Sequence, residues 1–257
     1  MKYWQETLAV TQRILIELIR RRRSLFFWAI FPIAILLLNG YILAERANLA
    51  TAEAMKTAAP ATLVGAALFF SCLGGSVSTV VSEREQKTIK RLFIAPLSGF
   101  SYFFGIFLAH SCIGFGQLIL VYLLVFFWGA ELNGDLFLGL GIVFLSIMSY
   151  VGVGFVLGAQ LARRTEDVNA LVATFGVPLL ILGGAFLPTS LFPQTLLDIA
   201  QFNPIFHISE ALTGVWVNGE TLGDISDHLR FLIIFAIAAI ACGWLSYHQM
   251  LKTERQL

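Results

Sequence analysis

ATLVGAALFFSCLGGSVSTVV, residues 61–81, carries no charge and runs directly into SEREQKTIKRLFIAPLS, residues 82–98, where six charged side chains fall between Glu83 and Arg91. The first stretch matches the run of about 20 apolar residues that a helix needs to cross the hydrocarbon core of a bilayer. The second cannot enter that core, because each uncompensated charge there costs several kcal/mol. The junction at Ser82 therefore reads as a membrane boundary.

Working outward, five more stretches have the same character: about 24–43, 103–129, 136–160, 170–187 and 231–249. The span at 170–187 is the short one, reaching only about 27 Å at roughly 1.5 Å per residue. Composition agrees, with 58% hydrophobic residues, 13% charged residues and 23 phenylalanines, and a mean hydropathy of +0.80. A water-soluble fold of this size has too little interior for that apolar surface, so lipid must solvate part of it. A soluble enzyme, a disordered tail and a nucleic-acid binder are excluded. Cys72, Cys112 and Cys242 all lie in apolar runs, which is not a disulfide framework, and no Cys/His group has zinc spacing. The expected fold is an all-α membrane protein of six transmembrane helices forming one domain over residues 1–257.

The basic residues orient it. With the N-terminus inside, 14 of the 17 Lys and Arg face the cytoplasm, and only Arg46, Lys56 and Arg230 fall outside. By the positive-inside rule both termini are cytoplasmic. Residues 1–23 hold too many charges for a cleavable signal peptide. They instead place Trp4, Leu8, Leu15, Leu18 and Ile19 at helical spacing ahead of Arg20, Arg21, Arg22 and Arg23, which predicts an amphipathic helix on the inner surface, its arginines on lipid phosphates.

Two connections are too structured to be passive loops. In 82–98, Ser82 and Glu85 have capping-box spacing, Ile89, Leu92 and Phe93 share a face, and Pro96 ends the pattern, predicting a cytoplasmic helix over 82–95. In 188–230, the segments 194–202 and 205–217 are too apolar for a free loop and too short to span, predicting two short helices that re-enter the outer leaflet.

These two connections carry a family resemblance. SEREQKTIKRLFIAPLS resembles the cytoplasmic signature of type-2 ABC exporter permeases, and GGAFLPTSLFPQTLLDIAQFNPIFHISEAL, residues 183–212, is similar to that family's last external segment, with its Asn-Pro ahead of an aromatic. With six spans, the resemblance covers essentially the whole chain; Lys87 departs from the Gly that many members have before Thr. The resemblance implies a permease that builds the pathway while a separate nucleotide-binding subunit uses ATP and Mg. None of the five lysines follows a glycine, so a Walker A loop is impossible in this chain and it binds no nucleotide in that manner. It also implies that 82–98 is a coupling helix seated in the ATPase, with Glu83, Arg84, Glu85, Lys87, Lys90, Arg91 and Leu92 as contacts. Its cargo cavity would lie between the second and fifth spans of two copies, a homodimer, placing Phe69, Phe70, Ser71, Thr174, Phe175 and Val177 on the pathway of a hydrophobic or amphipathic molecule. The expected location is a bacterial inner (plasma) membrane.

Other polar positions read as packing. His110, Gly114 and Gln117 make a stripe on the third span; Gly154 and Gly158 form a GxxxG; His207 and Glu210 are a candidate metal pair or gate, with an interfacial hydrogen bond as the plainer alternative. An intramembrane enzyme lacks its constellation, since HExxH and GxSxG are both absent. The competing function is an ATPase-independent channel or membrane assembly factor.

Overall fold

The structure, a computed structural model, describes residues 2–88, 97–131, 133–186, 189 and 192–256. Among these residues the elements are all helical. In chain order they are α1 (Lys2–Arg20), α2 (Arg22–Ala47), α3 (Thr51–Glu85), α4 (Gly99–Phe127), α5 (Leu136–Leu161), α6 (Thr165–Leu182), α7 (Gln194–Ala200), α8 (Pro204–Thr213) and α9 (Ser226–Gln256). Among the described residues, helices α2, α3, α4, α5, α6 and α9 are the six long and apolar enough to cross a membrane. Six crossings put both termini at one end of the bundle, here called the basic end.

Helix α3 is the axis of the fold. In its apolar window 78% of residues are buried, against 17% in α2 and 22% in both α6 and α9. A helix that is apolar all round must be enclosed, and α2, α4 and α5 enclose this one. Residues Thr62–Gly74 are wound as a π-helix following Pro60, which has no amide to donate to the preceding turn. The lipid-facing helices show their apolar side chains outward instead: on α2 only Pro32, Leu36 and Gly40 are buried. Asn48, in the left-handed conformation at φ 51°, reverses the chain from α2 into α3; short polar side chains tolerate that region best.

Close approach of helices relies on small residues, as expected where apolar lipid gives no hydrophobic drive to association. A Cβ on Gly154 would strike the Ser76 hydroxyl and lie 3.0 Å from the Leu73 carbonyl oxygen, and one on Gly158 would lie 2.9 Å from Val80 Cβ. The GxxxG of α5 thus packs on α3 within the chain. The other side of α5 lies on α9, where Gly152 meets the backbone of Ala239 and Gly243 meets Gly152. The polar stripe of α4 also faces protein. His110 is fully buried between Thr79 Oγ1 (3.1 Å) and the Ser71 carbonyl (3.3 Å), and Gln117 donates to the Trp28 carbonyl at 3.0 Å.

Helix α1 lies along the start of α4 and buries Thr7, Val10, Thr11, Ile14 and Leu18. This corrects the expected apolar face in part. Leu18, expected on the face toward lipid, packs into the protein, whereas Trp4, Leu8 and Ile19 are exposed, so the helix has a protein-facing stripe and a separate apolar stripe. At its start, the Ser101 hydroxyl and the Ser98 amide hold the Glu6 carboxyl below its ordinary value.

The expected helix over 82–95 is corrected at its beginning. Ser82 is no cap: it lies inside α3 and its hydroxyl donates to the Thr79 carbonyl at 3.2 Å. The span continues through Glu85 and ends in a turn in which Lys87 takes φ 53°. A left-handed backbone is costly for a side chain with a Cβ, and Lys87 stands where the resemblance noted glycine. Residues 89–96, including Lys90, Arg91, Leu92 and Pro96, lie outside the described residues, as does Pro188.

Replacing Gly154 by Val should overpack the α3–α5 contact and cost about 1–3 kcal/mol, read as a lower midpoint of thermal unfolding in detergent. Gly116→Val, where an added Cβ meets nothing within 4 Å, should leave that midpoint much closer to wild type.

Candidate functional site

Consecutive residues on an α-helix point about 100° apart, so Glu83, Arg84 and Glu85 at the end of α3 face three different neighbours. Glu83 is 3% exposed and accepts an ion-paired hydrogen bond from Arg13 of α1. Burial works against the Arg13 charge, but Tyr102 and Glu83 outweigh it and raise the guanidinium pKa. Behind the pair, the buried rings of Tyr102 and Tyr247 stack at 6.3 Å, bringing α4 and α9 into the cluster.

Arg84 reaches the opposite way. It donates to the carbonyls of Gly158 (3.3 Å), Ala159 (3.5 Å) and Ala162 (3.2 Å), the open C-terminal carbonyls of α5, and pairs with Glu254 of α9 at 3.5 Å. A cation suits that end of a helix, where unpaired carbonyls leave partial negative charge. Glu85 accepts from the amide of Thr165 at 3.3 Å and from its hydroxyl, so a carboxylate caps the first turn of α6. Three adjacent side chains thus tie the end of α3 to α1, to α5 with α9, and to α6.

This arrangement divides the seven residues expected to meet an ATPase. Glu83 and Arg84 are engaged within the chain and do not present a free charged face; Glu85 and Lys87 are exposed; Lys90, Arg91 and Leu92 lie outside the described residues. The partners Arg13, Thr165 and Glu254 were not anticipated. The signal for them was present, because three alternating charges on successive positions of a helix cannot face one surface.

Beside the tie, the basic-end halves of α2, α3 and α6 enclose a groove of about 810 Å³. Its walls are Phe27, Trp28 and Phe31 of α2, Phe70, Gly74 and Ser78 of α3, and Val168, Asn169, Val172, Ala173 and Val177 of α6, with Arg21, Ser24 and Thr165 among its lining. Phe31 and Phe70 meet edge to face at 5.2 Å. The surface suits a molecule with a large apolar body and a polar end.

Of the six expected pathway residues, Phe70 and Val177 line this groove. The other four lie off this groove. Phe69 is buried beneath it, edge-on to Tyr150 at 5.7 Å and against Gly176; Ser71 is buried and donates to the Ala67 carbonyl at 2.7 Å. Thr174 and Phe175 are exposed and off the groove, Phe175 with 64% of its surface free. The groove-facing positions of α6 repeat at three and four residues from Val168, a face that the choice of 174 and 175 missed. Helix α2 was missed altogether, since nothing in its uniform apolarity distinguishes Phe27, Trp28 and Phe31.

Arg13→Ala should cost about 3 kcal/mol, because Glu83 is then left buried without its cation. The double variant Arg13→Ala/Glu83→Ala should cost less than the two single losses added together, and a double-mutant cycle on thermal unfolding measures that coupling.

Comparison with known proteins gives the arrangement its relatives. Residues 5–216, which hold α1 through α8 and so five of the six spans, match the family described as ABC-2 type transporter. The chain is similar to the linearmycin resistance permease protein LnrN of Bacillus subtilis (26% identity; 75% of this chain, 50% of that protein). It is also similar to the probable multidrug ABC transporter permease YbhR of Escherichia coli K12 (24%; 61% of this chain, 42% of that protein). The chain therefore spans about half of either relative's length or less. The putative transport permease ycf38 of Cyanophora paradoxa is matched more fully, at 25% identity over 97% of this chain and 90% of that protein. With a match that covers most of its length, the chain belongs to the ABC-2 type transporter family.

Proposed function

We propose that this chain is the membrane-spanning permease subunit of an ABC exporter, and that its pathway carries a hydrophobic or amphipathic cargo outward under the power of a separate ATPase that uses ATP and Mg. The observation that carries this reading is the pairing of an aromatic groove with a rigid tie at the same end of the bundle. The segment that resembles a coupling helix, residues 82–98, begins with the tie and runs on beyond it. A push on that segment reaches α3 directly, and through Glu83, Arg84 and Glu85 it reaches α1, α5, α6 and α9. The groove is built from α2, α3 and α6, so its shape changes when α3 and α6 move relative to α2. Cargo moves in one direction only if the two conformations bind it differently.

In this reading Lys87 and Glu85 meet the ATPase, together with Lys90, Arg91 and Leu92, while Glu83 and Arg84 act inside the permease. The basic end is cytoplasmic in a bacterial inner membrane, supported by the distribution of Lys and Arg. Helix α1 lies at that surface with Trp4, Leu8 and Ile19 toward lipid, and α7 and α8 form the re-entrant outer segment. A second copy completes the pathway, since two-fold pairing is the simplest closed arrangement for a six-span unit. The names of LnrN and YbhR, a resistance permease and a multidrug permease, lend support to an amphipathic cargo.

Co-purification in mild detergent should bring down a stoichiometric ATPase, and Lys87→Glu should weaken that association about tenfold while leaving thermal stability intact. In the reconstituted complex, Phe31→Ala should lower cargo-stimulated hydrolysis about tenfold, the worth of one lost aromatic contact and its burial. Phe175→Ala should change it by less than about twofold. Absence of any ATPase from native-lipid particles would favour an ATPase-independent channel or assembly factor.

A further inference from the structure

At the end of the bundle away from the tie, the two histidines His207 of α8 and His228 of α9 face each other with Nδ1 atoms 2.9 Å apart. His207 Nε2 lies 2.8 Å from the Gln201 carbonyl oxygen. A carbonyl only accepts, so Nε2 carries the hydrogen, and in the neutral ring Nδ1 is left as an acceptor. His228 must then donate from Nδ1, and a single proton lies between the rings. Phe231 stacks on His207 at 3.9 Å and Phe206 meets it edge-on at 5.5 Å, so the pair sits against apolar walls. His207 is 9% exposed and His228 is half-buried.

We propose that this pair is a proton-operated latch that fastens α8 to the start of α9 and releases it on acidification. The pair keeps its bond after taking up one proton: the proton adds to the outer nitrogen of His228, whose Nδ1 goes on donating to His207. A second proton removes the acceptor and sets two N–H groups head to head. The bond therefore depends on how many protons the two rings hold together, and release belongs to the state in which both rings carry two. Burial pushes the His207 pKa down, and His228 pushes it further the same way, against the Gln201 bond and the charge of Glu210. A lowered value in the folded protein means that the latch is at full strength above the ordinary histidine value and is lost as pH falls through the lowered one.

The remaining charged groups on the packed elements are otherwise engaged. Glu210 accepts from Thr189 at 2.7 Å, and Asp227 pairs with Arg230 on the exposed flank of α9. Glu53 pairs with Lys56 on α3 at 2.9 Å, Asp135 caps α5 through the amides of Phe137 and Leu138, and Asp198 of α7 accepts from Gln194. A shared proton also fits the geometry better than a shared metal. Two nitrogens bound to a tetrahedral zinc at about 2.1 Å stand about 3.4 Å apart, and among the described residues no group of three His, Cys, Asp or Glu could hold an ion.

The test is hydrogen–deuterium exchange of the α8 amides in the full chain in lipid nanodiscs, between pH 7.5 and 4.5, corrected for the intrinsic pH dependence of exchange. Wild type should lose protection in α8 about three- to tenfold more than in α5 over that range, the scale of one net hydrogen bond. His228→Gln should abolish that extra pH dependence, and so should His207→Gln. Should the His207 variant fail to fold, the half-exposed His228 variant decides the matter alone. Equal pH dependence in wild type and His228→Gln, or none in wild type, overturns the latch. Protection that rises when zinc chloride is added at pH 7.5, and does so only in wild type, overturns the shared proton in favour of a metal. The readout needs neither an ATPase nor a cargo, so it stands or falls separately from the exporter reading.

Discussion

Helix α3 ends in three charged residues that have no room to be independent. Glu83 is buried and needs the cation of Arg13; Arg84 satisfies carbonyls that α5 leaves open; Glu85 caps α6. Each interaction answers a local requirement of physical chemistry, a buried carboxylate or an unpaired helix end. Because the three side chains are adjacent on one helix, these separate requirements become one mechanical joint. The most enclosed helix in the bundle cannot shift at this end without carrying α1, α5, α6 and α9, or breaking charged contacts to them.

The rest of the bundle suits that joint. Small residues let α5 lie close against α3 on one face and α9 on the other, so the centre is dense and polar groups such as His110 and Gln117 find partners inside it. Helices α2 and α6 are by contrast mostly exposed to their surroundings. A stiff core beside two largely exposed helices, of which only α6 is tied to the joint, is a suitable construction for a groove that must change shape. The groove lies where α2 and α6 meet α3, beside the joint.

Much of this was legible in the sequence. Six spans could be read because an apolar run of membrane length has few other meanings, and α7 and α8 because their segments were too apolar for loops and too short to cross. The errors share one cause: hydropathy locates a span without fixing its rotation or its end. The junction at Ser82 was placed where charge begins, but a helix continues past that point when its charges find partners, as Glu83, Arg84 and Glu85 do. Thr174 and Phe175 were chosen by composition together with Val177, and only the tertiary fold shows that α6 turns Val172 and Val177, and not the other two, to the groove. On α1, Leu18 was placed on the face toward lipid and is packed in the protein instead, and Thr7 and Thr11 were not seen as buried, because their hydroxyls are satisfied by carbonyls one turn back and cost little to bury.

The central claim is that the end of α3 moves as one body with the helices it is tied to. Electron–electron distance measurements between spin labels at Lys87 and each of Gln12, Glu166 and Lys252, in a background with the native cysteines replaced, test it most directly. They would be made on the permease with its ATPase, nucleotide-free and trapped with ATP. The account predicts that all three distances stay within about 2 Å between the states, while the distance between the Lys87 labels of two copies changes. Separation of Lys87 from all three partners by about one helical turn, about 5 Å, would show that the joint opens during the cycle and would contradict the account.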